Sequence, residues 1–204
     1  DRERLGTIRI LEDRDDDGRF ETSRVFAGDL SWPTGVLCHA GGVFVCAAPD
    51  ILYLRDTDGD GRADERRVVF TGFGRTNVQG LLNSLRWSLD GRVHGATSSS
   101  GAPRVTRPDD PAFEPVNLDG RDFSFDPRRL DLRPESGCLQ HGMAFDDWGR
   151  KFVSGNSAPL EMAFFEDRYA ARNPAFAMPP GRGSIAAGGG ADDGFRTSPI
   201  EPWR

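Results

Sequence analysis

Ile51-Leu52-Tyr53-Leu54-Arg55-Asp56-Thr57-Asp58-Gly59-Asp60-Gly61-Arg62-Ala63-Asp64-Glu65-Arg66-Arg67-Val68-Val69-Phe70 sets an acidic loop between two apolar runs. The same form occurs 43 residues earlier. There, Thr7-Ile8-Arg9-Ile10-Leu11 leads into Asp13-Arg14-Asp15-Asp16-Asp17-Gly18-Arg19-Phe20-Glu21, followed by Arg24-Val25-Phe26. Runs this short, rich in β-branched and aromatic residues, predict strands, so each acidic loop is expected at the tip of a hairpin. Carboxylates stand at loop positions 1, 3, 5 and 9: Asp13, Asp15, Asp17 and Glu21 in the first, Asp56, Asp58, Asp60 and Asp64 in the second. Gly18 and Gly61 hold position 6, where a sharp turn is needed. Such spacing wraps oxygens around a hard cation, and Ca²⁺ is the expected ligand because unscreened carboxylates this close repel. Neither loop is an EF-hand, since Arg24 and Arg67 replace the bidentate Glu of position 12 and the flanks are not helical. Asp and Gly also favour turns for their own sake, which is the plainer reading of one loop; the duplication argues for the ion.

A second repeat overlies the first. Trp32-Pro33-Thr34-Gly35-Val36 leads to Gly42-Val43-Phe44-Val45-Cys46-Ala47. Val78-Gln79-Gly80-Leu81 leads to Leu85-Arg86-Trp87-Ser88-Leu89-Asp90-Gly91-Arg92-Val93. Gln140-His141-Gly142-Met143 leads to Phe145-Asp146-Asp147-Trp148-Gly149-Arg150-Lys151-Phe152-Val153. Each is an apolar strand, an Asp/Gly turn and another apolar strand. Repeats of roughly 40–50 residues built from strands predict the blades of a β-propeller. The fold class expected is therefore all-β, about four blades' worth of a larger ring, with a partial propeller over residues 1–178. Residues 179–204, rich in Gly and Pro, are expected to be irregular and to lead into a further blade. Residues 101–134 read as an insertion, although Arg121-Asp122-Phe123-Ser124-Phe125-Asp126-Pro127 resembles one more blade strand. Ala163 to Asn173 suggests a short helix stopped by Pro174. Leu85, Trp87 and Leu89 alternate as if on one buried face, and the tryptophans read as blade packing.

The 204 residues are enough for a real core, with 37% hydrophobic content and no apolar run long enough to span a membrane. A net charge of −6 with no basic patch among aromatics argues against a nucleic-acid partner. Cys38, Cys46 and Cys138 fit neither a zinc site nor a disulfide framework and read as buried thiols. No Cys-x-x-Cys-His is present to attach a c-type haem. The chain starts at Asp rather than Met, which suggests a fragment or processed product.

Several motifs resemble one family. They are Asp50-Ile51-Leu52-Tyr53-Leu54-Arg55-Asp56-Thr57-Asp58-Gly59-Asp60-Gly61, Val69-Phe70-Thr71-Gly72-Phe73-Gly74-Arg75, Asn77-Val78-Gln79-Gly80-Leu81, Gln140-His141-Gly142-Met143, Phe145-Asp146-Asp147-Trp148-Gly149-Arg150 and Glu201-Pro202-Trp203-Arg204. Together they resemble the membrane-bound dehydrogenase domain of planctomycete-type bacteria, a propeller similar to soluble quinoprotein glucose and sorbosone dehydrogenases. The resemblance implies an extracytoplasmic enzyme that oxidises a sugar or alcohol hydroxyl with pyrroloquinoline quinone. It implies electron transfer to an acceptor such as a c-type haem domain in the same full-length protein. It makes His141 the general base, a role suited to a group that titrates near neutrality. Gln140, Arg75 and Asn77 would then hold the cofactor, Arg75 by pairing with its carboxylates, with Asn83 and Asn156 at comparable places. The chain departs from the family at Ser136-Gly137-Cys138-Leu139, where members are Gly-rich. Two other readings stand beside it: a non-enzymatic propeller that binds glycan or protein, and an inert remnant. In both, inner-strand Gln and His only bond to neighbouring backbone.

Overall fold

A computed structural model describes residues 3–185. They form an all-β structure of four antiparallel sheets, none closed on itself. The first is a hairpin of β1 (Gly6–Glu12) and β2 (Thr22–Leu30). The second, sheet A, joins β3 (Gly35–His39), β4 (Gly42–Ala47), β5 (Asp50–Arg55) and β6 (Glu65–Thr71) in chain order. Sheet B repeats this with β7 (Asn83–Trp87), β8 (Val93–Ala96), β9 (Asp122–Phe125) and β10 (Arg133–Glu135). Sheet C repeats it again with β11 (His141–Phe145), β12 (Lys151–Gly155), β13 (Ala158–Ala163) and β14 (Arg182–Ser184). Both acidic loops lie where the sequence placed them, at the β1–β2 and β5–β6 connections.

Period-2 alternation explains where sheet A sits. Phe44 and Cys46 of β4, with Ile51 and Tyr53 of β5, enter the larger core. Their neighbours Val45, Ala47, Leu52 and Leu54 enter a second core with Phe26 and Leu30 of β2. Sheet A is thus apolar on both faces: one is covered by the β1–β2 hairpin, the other by sheet B. The larger core is an aromatic seam. Phe125 meets Phe44 at 5.2 Å and Phe70 at 5.3 Å, both edge-on, while Phe73 meets Phe123 at 5.3 Å. Edge-to-face pairing adds roughly 0.5–1.5 kcal/mol to the burial of each ring pair.

The first strands of the sheets are also tied to one another at their starts. The hydroxyl of Thr34, just before β3, donates to the carbonyl of Leu82, just before β7. The amide of Asn83, opening β7, donates to the carbonyl of Gln140, just before β11, at 3.3 Å. The same carbonyl accepts the Ser98 hydroxyl at 2.8 Å. Elsewhere, Arg92 pins the β7–β8 turn to β9 and to Asp131 through four hydrogen bonds. Lys151 is buried in an ion pair with the fully buried Asp122 at 2.5 Å and also donates to the Ser136 carbonyl.

Several expectations are corrected. The supposed insertion supplies β9, where a blade strand was expected, and also β10, where none was; Pro134 is tolerated because β10 is an edge strand. The rest of that stretch folds back on sheet A, bridging Thr71 to Thr106 and burying Ala102, Val105 and Leu118. The expected helix reduces to one turn, α1 (Asp167–Ala170), because Ala163 pairs with Arg182 as the end of β13. Strand β14 lies within the segment expected to be irregular. Trp87 and Leu89 are exposed because β7 is bulged after Asn83 and ends at Trp87, before the turn. Trp148 is exposed as well, so Trp32 is the one tryptophan packed on the core among the described residues. Of the cysteines only Cys46 is buried, and burial pushes its thiol pKa up. Cys38 pairs across the hairpin with Val43 and Cys46 with Gly35, so the two thiols do not face each other. Glu201-Pro202-Trp203-Arg204 lies outside the described residues.

Phe125 has no exposure and meets three other rings, those of Phe44, Phe70 and Phe123, so Phe125→Ala should cost about 3–5 kcal/mol. Urea unfolding should show this as a lower midpoint at unchanged slope.

Candidate functional site

Antiparallel strands alternate in direction, so the connections fall at two ends. One end holds the starts of β3, β7 and β11, brought together by the Thr34–Leu82 and Asn83–Gln140 bonds. The other holds the turns into β4, β8 and β12 and both acidic loops. The expected site residues are therefore divided. Arg75, Asn77, Gln140 and His141 belong to the strand-entry end, and the eight candidate metal ligands belong to the turn end.

The two acidic loops share one hydrogen-bond plan. Position 1 accepts two backbone N–H groups: Asp13 from Asp16 and Gly18, Asp56 from Gly59 and Gly61. Position 3 accepts from position 5, and position 5 accepts from position 7. Position 9 accepts the N–H of position 2: Glu21 from Arg14 and Asp64 from Thr57. Gly18 and Gly61 have φ of 86° and 84°, the left-handed region that favours glycine at position 6. Arg24, at position 12 of the first loop, lies over Gly61 of the second and pairs with Glu12 at 3.3 Å.

These arrangements differ in one respect. Asp13, Asp15, Asp17 and Glu21 each offer an oxygen within 4.8 Å of the others, close enough to share one metal ion. In the second loop Asp56, Asp58 and Asp60 do so, but Asp64 falls outside the group. Thr57 explains the difference: its N–H and hydroxyl take both oxygens of Asp64, at 3.0 and 2.6 Å, and Arg14 has no hydroxyl to do the same to Glu21. The oxygen-only donor sets suit a hard cation.

At the strand-entry end the expected cofactor grip does not assemble. Arg75 lies over the ring of Trp32 at 5.6 Å and donates to the Ser31 hydroxyl. Asn77 caps a 3-10 turn (Val78–Gly80) by accepting from Gln79, and its amide reaches Ser99. Gln140 contributes its main-chain carbonyl to the Asn83 and Ser98 bonds. Asn83 is thereby spent between sheets, and Asn156 is exposed in the turn between β12 and β13. His141 is exposed, and among the described residues no hydrogen bond or ion pair holds its imidazole; only its carbonyl is engaged, by Ser154. His94, given no role by the sequence, is buried and bound to Asp90. The i, i+4 spacing of Asp90 and His94 across a tight turn was the available signal.

With the geometry in hand, comparison places the chain in a family: residues 1–202 match the model described as Domain of unknown function (DUF7133), and the chain belongs to it. No curated protein and no solved structure matches.

Several carboxylates titrate below their usual range. The N–H groups of Gly61 and Gly59 lower Asp56, the Thr57 hydroxyl lowers Asp64, and the Arg128 N–H brings Asp126 to about 2. Each binds protons more weakly folded than unfolded, so the stability it adds is present above its unfolded pKa, about 3.9, and lost as pH falls through the folded value. In EDTA, the melting temperature should fall steadily from about pH 5 to pH 2. Asp126→Asn should flatten the lower part of that curve.

Proposed function

We propose that the chain is part of a β-propeller, stabilised by calcium at two hairpin tips, that presents its strand-entry face to a glycan or protein ligand. The observation that supports this most is the repeated link at the strand starts. Sheets A, B and C are each a four-stranded meander, and each first strand is bonded to the next at the same place, as blades around an axis require. In this reading the hairpin of β1 and β2 belongs to a further blade. Calcium fits the acidic loops by donor type and spacing, and two exposed sites with few ligands suit the high calcium of an extracytoplasmic compartment.

A second reading, a quinoprotein-type sugar or alcohol dehydrogenase, is favoured by one observation. His141 opens an inner strand with an exposed imidazole that, among the described residues, no hydrogen bond or ion pair engages. It would take the proton from a substrate hydroxyl. Pyrroloquinoline quinone, when bound, would supply the redox chemistry and pass electrons to an acceptor beyond this chain, such as a haem domain. The described residues do not fit that cofactor. Arg75, its expected carboxylate partner, lies on the Trp32 ring and donates to Ser31, Asn77 caps a turn, and Gln140 gives its main-chain carbonyl to the sheet contacts, so the three do not gather around one ligand. Binding is therefore placed first, and no step is routed through the quinone.

Two measurements test these readings. A Ca²⁺ concentration 100-fold above Kd should raise the melting temperature by about 5–10 °C per site, reversed by EDTA. Asp13→Asn with Asp56→Asn should abolish the shift; a melting curve indifferent to EDTA would remove calcium. The intact protein, supplied with pyrroloquinoline quinone and Ca²⁺, should reduce no dye on aldoses. Dye reduction abolished by His141→Ala would instead establish the dehydrogenase.

A further inference from the structure

At the turn end, away from His141, a cavity of about 570 Å³ opens between sheets B and C. Its walls are the β7–β8 turn, the β11–β12 turn and the segment that follows β13. We propose that this cavity is a binding site for a neutral polyhydroxylated ring, the chemistry of a sugar residue.

Three features of the wall carry the proposal. The first is an oriented acceptor. Asp90 keeps about half its side chain exposed, at 45%, and is fixed in place by the Arg92 N–H at 3.0 Å and the His94 Nε2–H at 3.0 Å. A carboxylate so held has lone pairs left for ligand hydroxyls. In the neutral ring, an Nε2–H directed at Asp90 leaves Nδ1 of His94 as an acceptor. His94 lines the cavity, is 6% exposed, and its Nδ1 has no hydrogen-bond partner among the described residues. A buried orphan of this kind is uncommon, and a donor group entering beside it would remove the deficit.

The second feature is an apolar platform. Trp148 is 77% exposed on the β11–β12 turn, with Arg150 stacked at 5.0 Å to its ring centroid. Phe145 and the half-exposed Phe164 continue the apolar wall. A flat indole beside polar acceptors suits a ring with an apolar C–H face and a hydroxylated rim. An exposed Trp at a turn tip contributes nothing to the core, so packing does not account for it.

The third feature is charge. The wall's cations, Arg150 and Lys151, are already matched to Asp146 at 2.6 Å and Asp122 at 2.5 Å. A phosphate or carboxylate ligand would find no unpaired counter-charge, whereas hydroxyl donors find acceptors.

The proposal is independent of the strand-entry face. The test is calorimetric titration of the intact protein with glucose, galactose, mannose, xylose, cellobiose and maltose, with glucose 6-phosphate as the anionic control. At least one neutral sugar should bind saturably. Trp148→Ala, which removes only an exposed side chain, should weaken it roughly 10-fold or more at unchanged melting temperature. Asp90→Asn, which keeps a turn acceptor, should also weaken it, and the His94 ring nitrogens should shift on saturation in wild type. His141→Ala should bind as wild type, which separates this cavity from the strand-entry face. No saturable binding, binding unaffected by Trp148→Ala, or tighter binding of the phosphorylated control would each overturn the proposal.

Discussion

A sheet that is apolar on both faces must be covered on both faces, and sheet A sets that requirement for the rest of the molecule. Its two central strands, β4 and β5, send alternate side chains to opposite cores. Burying only one set would leave the other as an open apolar surface, at roughly 25 cal/mol for each Å² left in water. The β1–β2 hairpin answers on one side and sheet B on the other. The order of the chain thereby becomes an order in space, each sheet lying against its sequence neighbour.

Hydrogen bonds at the strand starts convert this stacking into a register. Apolar faces alone tolerate sliding; Thr34 on the Leu82 carbonyl and Asn83 on the Gln140 carbonyl do not. They also give Gln140 a main-chain role that its place beside His141 does not suggest. The carbonyl that holds sheet C to sheet B belongs to the main chain of Gln140, so the link depends on the backbone there rather than on the side chain.

Much of this was legible in the residues. The β-branched flanks of both acidic loops, the repeated apolar–turn–apolar runs and Asp90-Gly91 all became the strands and turns they imply. What escaped detection depends on backbone pairing. Arg182–Ser184 has no strand pattern, yet becomes β14 because β13 offers it free main-chain groups. Ala163 looks helical by composition and is held extended by the same pairing. At the acidic loops the spacing named the carboxylates that gather, but not that Thr57, one residue past Asp56, would occupy Asp64. The setting of Arg75 was hidden for a similar reason: its aromatic partner, Trp32, is 43 positions away in the chain and adjacent only in the fold.

Lys151 is the sole lysine among 204 residues, and the fold places it in the interior against Asp122. All other basic side chains apart from the three histidines are guanidinium groups, which do not lose their proton in biological conditions. The outer surface thus carries positive charge without lysine's nucleophilicity. Reagents that act on lysine side-chain amines therefore have a single target here, and its acylation reports how often the Lys151 amine leaves Asp122 and the Ser136 carbonyl.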